Sequence, residues 1–342
     1  MNIEVSVFGH ANGVAVNEYV LTNDNGMRVT LLNYGGIIKE IIVPDKNGIA
    51  KNCVQTFDTL EEYIEDASYR GAIVGRYANR IGHGKFILND EQYNLELNGG
   101  KHNLHGGLNG FHKKVWEATT NQQSDEVSLS LSLFSPDGEG GFPGNVNIKA
   151  RYTLTNDNEL IFHVCADTDK ATPLSFTQHA YFVLSNEDTV GSTKLKINAD
   201  SITDVDDTLL PTGDFVSVAG TPFDFRDEVK ISTRAHMADA SELYAMVGGY
   251  DHNYVLNEVG KDVPQAVVKA PDSGVTMALY TTLPGLQFYT GNLQSDVQIG
   301  ALCLEPQHFP DAPNKVHFPN CITHPNNPFE MTIRYRFGVQ YD

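Results

Sequence analysis

Apolar and polar positions alternate along most of this chain. Val127, Leu129, Leu131 and Leu133 alternate with serines in EVSLSLSLF, and Val146, Ile148, Ala150, Tyr152 and Leu154 continue the pattern in NVNIKARYTL. Leu195, Ile197 and Ala199 repeat it, as do Val275, Met277 and Leu279, and then Met331, Ile333, Tyr335 and Phe337. A period of two sends successive side chains to opposite faces, the signature of antiparallel sheet with one face in a core. Turn chemistry punctuates the runs at DKNG (45–48), PDGEGGFPGN (136–145), TNDN (155–158) and PDSG (271–274). Helical patterning is confined to LEEYIEDA (60–67) and ADASELYAM (238–246). There is no linker, low-complexity tract or solenoid repeat. The pattern predicts an all-β fold, one large antiparallel β-sandwich with few short helices, spanning residues 1–342 as a single domain.

Within such a fold the informative residues are ionisable groups at positions where apolar ones are expected. FTQHAYFVLS (176–185) reads as a buried strand with His179 among aromatic and branched residues. That histidine is either a satisfied core residue or a general acid. GRYANRIGHGKF (75–86) carries Arg76, Asn79 and Arg80, which are either surface groups beside a hairpin or a fork for ligand oxygens. Its glycine spacing matches no phosphate-binding loop.

In NGGKHNLHGG (98–107), His102 and His105 lie three apart, which on an extended segment sends them to opposite faces. No third ligand follows at a recognised interval, so no metal site is expected. Gly106 and Gly107 would let backbone approach a ligand next to His105. Asp251 and His252, between a glycine pair and an apolar run, are turn formers or ligand contacts. In ALCLEPQHFPDAPN, Ala301, Cys303 and Glu305 fall on one strand face, and Pro306 should end the strand there. An unpaired buried carboxylate costs several kcal/mol, about 2–7 on transfer scales for polar groups and more for charges, so Glu305 should be ion-paired or poised as a base.

Composition narrows the partners. Lys and Arg number 24 against 43 Asp and Glu, a formal net charge of −19, which disfavours nucleic acid and anionic membrane surfaces. The opening MNIEVSVFGHANG lacks the basic start and apolar core of a signal peptide, and no apolar run reaches transmembrane length. Cys53, Cys165, Cys303 and Cys321 are scattered, so a reduced, cytoplasmic chain is expected.

Taken together and in order, GRYANRIGHGKF, NLHGGLNGFHKKVWEA, FTQHAYFVLS, TPFDFR, YDHNYVL, LPGLQFYTGN and CLEPQHFPDAPN resemble the galactose mutarotase (aldose 1-epimerase) family nearly end to end. The resemblance implies a β-sandwich with a sugar cleft on a sheet face and a small-molecule aldose, galactose or glucose, as substrate, with no cofactor. A homodimer is compatible with it. Carried over by position, it implies Glu305 as catalytic base, His179 as catalytic acid, and Asn79, Arg80, His105, Asp251 and Gln287 as sugar contacts. Gln178, Val183 and Leu283 depart from the family pattern, which bears on sugar preference and on hydrogen bonding around His179.

Anomer interconversion needs a base at the anomeric hydroxyl and an acid at the ring oxygen. Unperturbed pKa values near 4.3 for glutamate and 6.5 for histidine give the base to Glu305 and the acid to His179. The rival readings are a hexose 6-phosphate mutarotase, a non-catalytic sugar-binding sandwich, and a glycoside hydrolase, which would usually need two carboxylates.

Overall fold

The computed structural model describes residues 1–235, 237, 241–291 and 300–341. Three antiparallel sheets account for most of the strands. The first runs in sequence order through Asn2–Ala11, Val14–Thr22, Arg28–Leu32, Ile38–Pro44 and Ala50–Asn52. Its opening hairpin turns at Asn12 and Gly13, both with positive φ, as a two-residue turn between twisted strands requires.

The second sheet has nine strands, and the strongest alternating segments build it. In order across the sheet they are Glu117–Gln122, Glu126–Ser135, Val146–Thr155, Glu159–Thr168, Phe329–Val339, Val275–Thr281, Ala266–Lys269, Lys194–Ile197 and Val229–Lys230. The third comprises Pro211–Ser217, Ala199–Val205, Asp251–Leu256, Gly285–Tyr289 and Cys303–Gln307. The Leu195–Ile197–Ala199 pattern therefore divides between two sheets. Buried Leu31 and Ile41, Leu129 and Phe162, and Tyr254 and Phe288 represent the three sheets in one contiguous core cluster. This is the sandwich expected from the alternation.

Helix is sparse. Leu60–Glu65 forms with a reciprocal capping box between Thr59 and Glu62. Glu242–Val247 begins at Ser241, which caps Tyr244 N–H; residues 238–240 of the expected segment lie outside the described residues. A further short helix, Ile231–Ala235, had no periodic signal. Among the described residues no helix is long and apolar enough to cross a membrane.

Two expectations fail locally. FTQHAYFVLS is not a continuous strand: only Thr177–Gln178 pairs, with Ile73–Val74, and His179 lies just beyond it. The run is nevertheless buried throughout apart from half-buried Val183, and Phe182 bridges both Val54 and Leu302. Pro306 does not end its strand, Cys303–Gln307, which continues one residue further. Cys303–Gln307 is the edge of its sheet, where a missing N–H can face away from the ladder.

Candidate active site

The third sheet positions the site by its period of two. Asp251 and Asn253, Gln287 and Tyr289, and Cys303, Glu305 and Gln307 share one face through the pairs Asp251–Tyr289, Asn253–Gln287, Gln287–Glu305 and Tyr289–Cys303. The intervening His252, Tyr254, Leu286, Phe288 and Leu304 are buried on the opposite face. Over the polar face lies a cleft of about 500 Å³. Asn79, Arg80, His105, His179, Asp251 and Glu305 line it, along with Tyr69, Tyr181 and Tyr289.

Two loops complete the cleft. Arg80–Ile81 pairs with Asn103–Leu104, which brings Asn79 beside His105. His105 N–H donates to Asn79 O at 3.0 Å, and Asn79 N–H donates back to His105 Nδ1 at 3.1 Å. Both residues hold left-handed φ angles, 66° and 53°, which asparagine and histidine tolerate better than most residues. The left-handed turn at His105 also breaks the regular extension assumed for NGGKHNLHGG. His102 does point elsewhere: its Nδ1 accepts from His83 N–H and its Nε2 meets Thr208 Oγ1 at 2.8 Å. Gly106 closely approaches the backbone of Gly75, where a Cβ would lie 2.1 Å from Gly75 O.

Glu305 and His179 meet in the cleft floor. Glu305 Oε2 lies 3.6 Å from His179 Nε2, with both residues at least 95% buried. Burial pushes the His179 imidazole down to about 4, against the weaker opposing charges of Asp251 and Asp66. Burial, reinforced by the Asp251 charge, holds the Glu305 carboxyl well above its ordinary value. These directions work against the ordering taken from unperturbed values and narrow the gap between the two groups. Desolvation disfavours charge on either group, so one proton shared across the pair describes it better than two independent titrations.

Asp251 is fixed from behind. Gln287 Nε2 donates to Asp251 Oδ1 at 2.6 Å, and Gln307 Nε2 lies 3.3 Å from both Gln287 Oε1 and Asn253 Oδ1. Arg80 faces Asp251 Oδ2 at 4.0 Å and donates to Asn79 Oδ1 at 3.3 Å. Gln287 itself does not line the cleft, so its position suits it to holding Asp251. Gln307 went unnoticed in the sequence, although its place two residues after Glu305 puts it on the same strand face.

His252 stands behind the site, its Nδ1 accepting Asp251 N–H at 3.1 Å. Arg76 takes neither role open to it: it is 2% exposed and donates to Ser135 Oγ and to the carbonyls of Ser135, Pro136 and Pro143. Gln178 is also buried, and donates to Gly71 O behind His179. Neither Val183 nor Leu283 lines the cleft.

His105, His179 and Glu305 present ligand atoms within 4.8 Å of one another, close enough to invite a metal ion. The tautomer of His105 argues against one. Because Nδ1 accepts Asn79 N–H, the proton sits on Nε2. Ligation through Nε2 would demand an imidazolate, and ligation through Nδ1 would orphan a buried N–H. Burial holds His105 well below its usual range, hence neutral, and its Nε2–H is suited to donate to an oxygen.

The fold and site thus define a pocket on the face of an antiparallel sheet, floored by the buried His179–Glu305 pair and lined by hydrogen-bonding groups. The chain belongs to the aldose 1-epimerase family, whose sequence model matches residues 17–336. It is 36% identical over 336 residues to galactose mutarotase from Bos taurus, covering 95% of this chain and 94% of the relative. To aldose 1-epimerase from Escherichia coli K12 it is 35% identical over 332 residues, covering 93% and 94%. The solved structure of galactose 1-epimerase from Lactobacillus acidophilus superposes with a TM-score of 0.90 at 28% identity, covering 99% of each chain. That of the GalM/aldose epimerase homologue from C. elegans gives 0.87 at 30% identity, covering 96% and 100%.

Proposed function

We propose that this protein interconverts the α and β anomers of a free aldohexose such as galactose or glucose, with Glu305 as base and His179 as acid. The 3.6 Å approach of His179 Nε2 to Glu305 Oε2 in the cleft floor carries the reading. The anomeric and ring oxygens are bonded to one carbon, so two groups this close can reach both.

Glu305 takes the proton from the anomeric hydroxyl while His179 delivers one to the ring oxygen. The C1–O5 bond breaks and C1 becomes an aldehyde. Rotation about C1–C2 exposes the other carbonyl face. His179 then recovers a proton from the C5 hydroxyl, Glu305 returns its proton to the carbonyl oxygen, and C1–O5 re-forms. Ring opening thus moves the dyad from protonated histidine with carboxylate to neutral histidine with carboxylic acid, and closure reverses it. Burial lowers the histidine and raises the glutamate, which brings these two states closer in energy, as a reversible reaction using both of them requires. Arg80, Asp251, Asn79 and the Nε2–H of His105 supply donors and acceptors for hydroxyls.

A neutral sugar suits the cleft better than a phosphorylated one. Arg80 is the one arginine or lysine among the described lining residues, and it is already engaged with Asp251 and Asn79. Polarimetry with fresh α-D-galactose and α-D-glucose, against galactose 6-phosphate, tests the reading. Accelerated relaxation of the neutral sugars is expected. Acceleration of the phosphate alone would make this a sugar-phosphate mutarotase, and binding without acceleration would leave a sugar-binding module.

A further inference from the structure

The acid imidazole lacks the hydrogen bond that usually sets the orientation of a catalytic histidine. His179 Nδ1 is buried without a well-formed partner, its own main-chain carbonyl being the one backbone acceptor that bears on it. In acid–base sites a carboxylate or neighbouring carbonyl generally fixes the ring through that nitrogen. Something else must fix the plane of this one.

Aromatic rings surround it instead. Tyr181 lies near-parallel to His179 at 5.1 Å and 26°, and Tyr69 at 6.0 Å and 27°. His105 meets the imidazole edge-on at 5.4 Å. Tyr69 also packs against His105 at 4.6 Å and His112 at 4.5 Å, so its ring stands among three imidazoles at once.

The segment that delivers Tyr69 is held under strain. Its φ of 59° is left-handed, a conformation costly for a bulky side chain, roughly 1–2 kcal/mol. Asp66 ties the segment down by accepting from Ser68 N–H at 3.0 Å and Arg70 N–H at 2.9 Å. Tyr181 Oη donates to Ser68 O at 2.9 Å, which joins the two tyrosines into one unit. Gly71 N–H donates to His179 O at 2.9 Å, and Gln178 grips Gly71 O. A strained residue so tightly determined, with its ring in the cleft wall, points to a positioning task.

We infer that Tyr69 is the positioning residue for His179: its ring, held by the left-handed turn, sets the imidazole plane and keeps Nε2 aimed at Glu305 and the sugar. This rests on the acid role proposed for His179. It assigns the Tyr69 ring a larger part than its hydroxyl, which meets Asn98 Nδ2 at 3.3 Å on the far side.

The test compares Tyr69→Leu, Tyr69→Phe and His179→Asn by polarimetry with galactose in the full-length chain. Tyr69→Leu should lower kcat by about 10- to 100-fold, the scale of a small misplacement of a reacting group, while KM changes far less. Tyr69→Phe should recover most of that loss, because it restores the ring. A Tyr69→Leu protein with parental kcat, beside an inactive His179→Asn, would overturn the positioning role and leave the acid role standing. Loss confined to KM, or no recovery with phenylalanine, would also overturn it. An active His179→Asn would remove the acid assignment, and the inference with it.

Discussion

His179 and Glu305 reach each other from different parts of the sandwich, Nε2 and Oε2 being 3.6 Å apart, and Glu305 Oε2 is buried without a hydrogen-bond partner among the described residues. His179 comes from a buried crossing segment and Glu305 from the edge strand of the third sheet. Burial disfavours an ion pair as well as free charges, which brings the two single-proton arrangements of the pair closer in energy. That balance is what a reversible proton exchange across a sugar requires.

Asp251 owes its orientation to Gln287, which donates to it at 2.6 Å from outside the cleft wall. Gln287→Ala should raise KM for galactose by about 10-fold, the scale of one hydrogen bond to a charged group, with a smaller fall in kcat. Initial rates over a range of sugar concentrations measure this. An unchanged KM would return Gln287 to a purely structural role.

The three departures from the family pattern should separate. Gln178 reaches Gly71 O behind His179, whereas Val183 and Leu283 line no part of the cleft. Val183→Asn and Leu283→Gln should leave the ratio of kcat/KM for galactose and glucose unchanged, and Leu283→Gln should lower Tm because it buries an unpaired amide. Gln178→Asn should alter kcat by loosening the Tyr69–Gly71 segment. A galactose-to-glucose ratio that moves with Leu283→Gln would contradict the placement.

Buried histidines predict the acid limb of stability. Burial lowers His252 and His308 to about 4 and His112 to about 3, and holds His105 well below its ordinary value. The unfolded chain takes up these protons near pH 6.5 and the folded chain resists them. Stability is therefore fully present above that pH and is lost as pH falls toward 4, by up to about 1.4 kcal/mol per pH unit for each group. Urea midpoints between pH 7 and 4 should fall steadily. A flat profile from pH 7 to 5 would mean that the histidines are hydrated.

The tautomer of His105 predicts metal-independent catalysis. Exhaustive chelation should leave mutarotation unchanged. Activity lost to a chelator and restored by one divalent ion would show that the cluster of His105, His179 and Glu305 binds metal despite the Asn79 hydrogen bond.

The sandwich was legible because its strands present one face to a core, as Glu126–Ser135 and Val146–Thr155 do, and alternation is a local signal. Glu305 stood out as a carboxylate on an apolar strand, and Gln307 followed by the same periodicity once Glu305 was placed. His179 was ambiguous by itself, since its segment is buried by neighbours from distant sequence and not by its own pattern. Tyr69 carried no signal: its role depends on a left-handed turn and on three histidines brought together by the fold. The opposing pKa shifts of the pair had no sequence signal, because desolvation is a property of the assembled cleft.

The most direct test of the account is kcat of Glu305→Gln, measured by polarimetry on fresh α-D-galactose beside sugar binding by calorimetry. The amide keeps the shape and an acceptor oxygen but takes up no proton at neutral pH. A fall of about 10²- to 10⁴-fold in kcat with binding retained is the predicted result, the range for loss of a general base. A folded Glu305→Gln protein that binds galactose and hastens its mutarotation as the parent does would contradict the account.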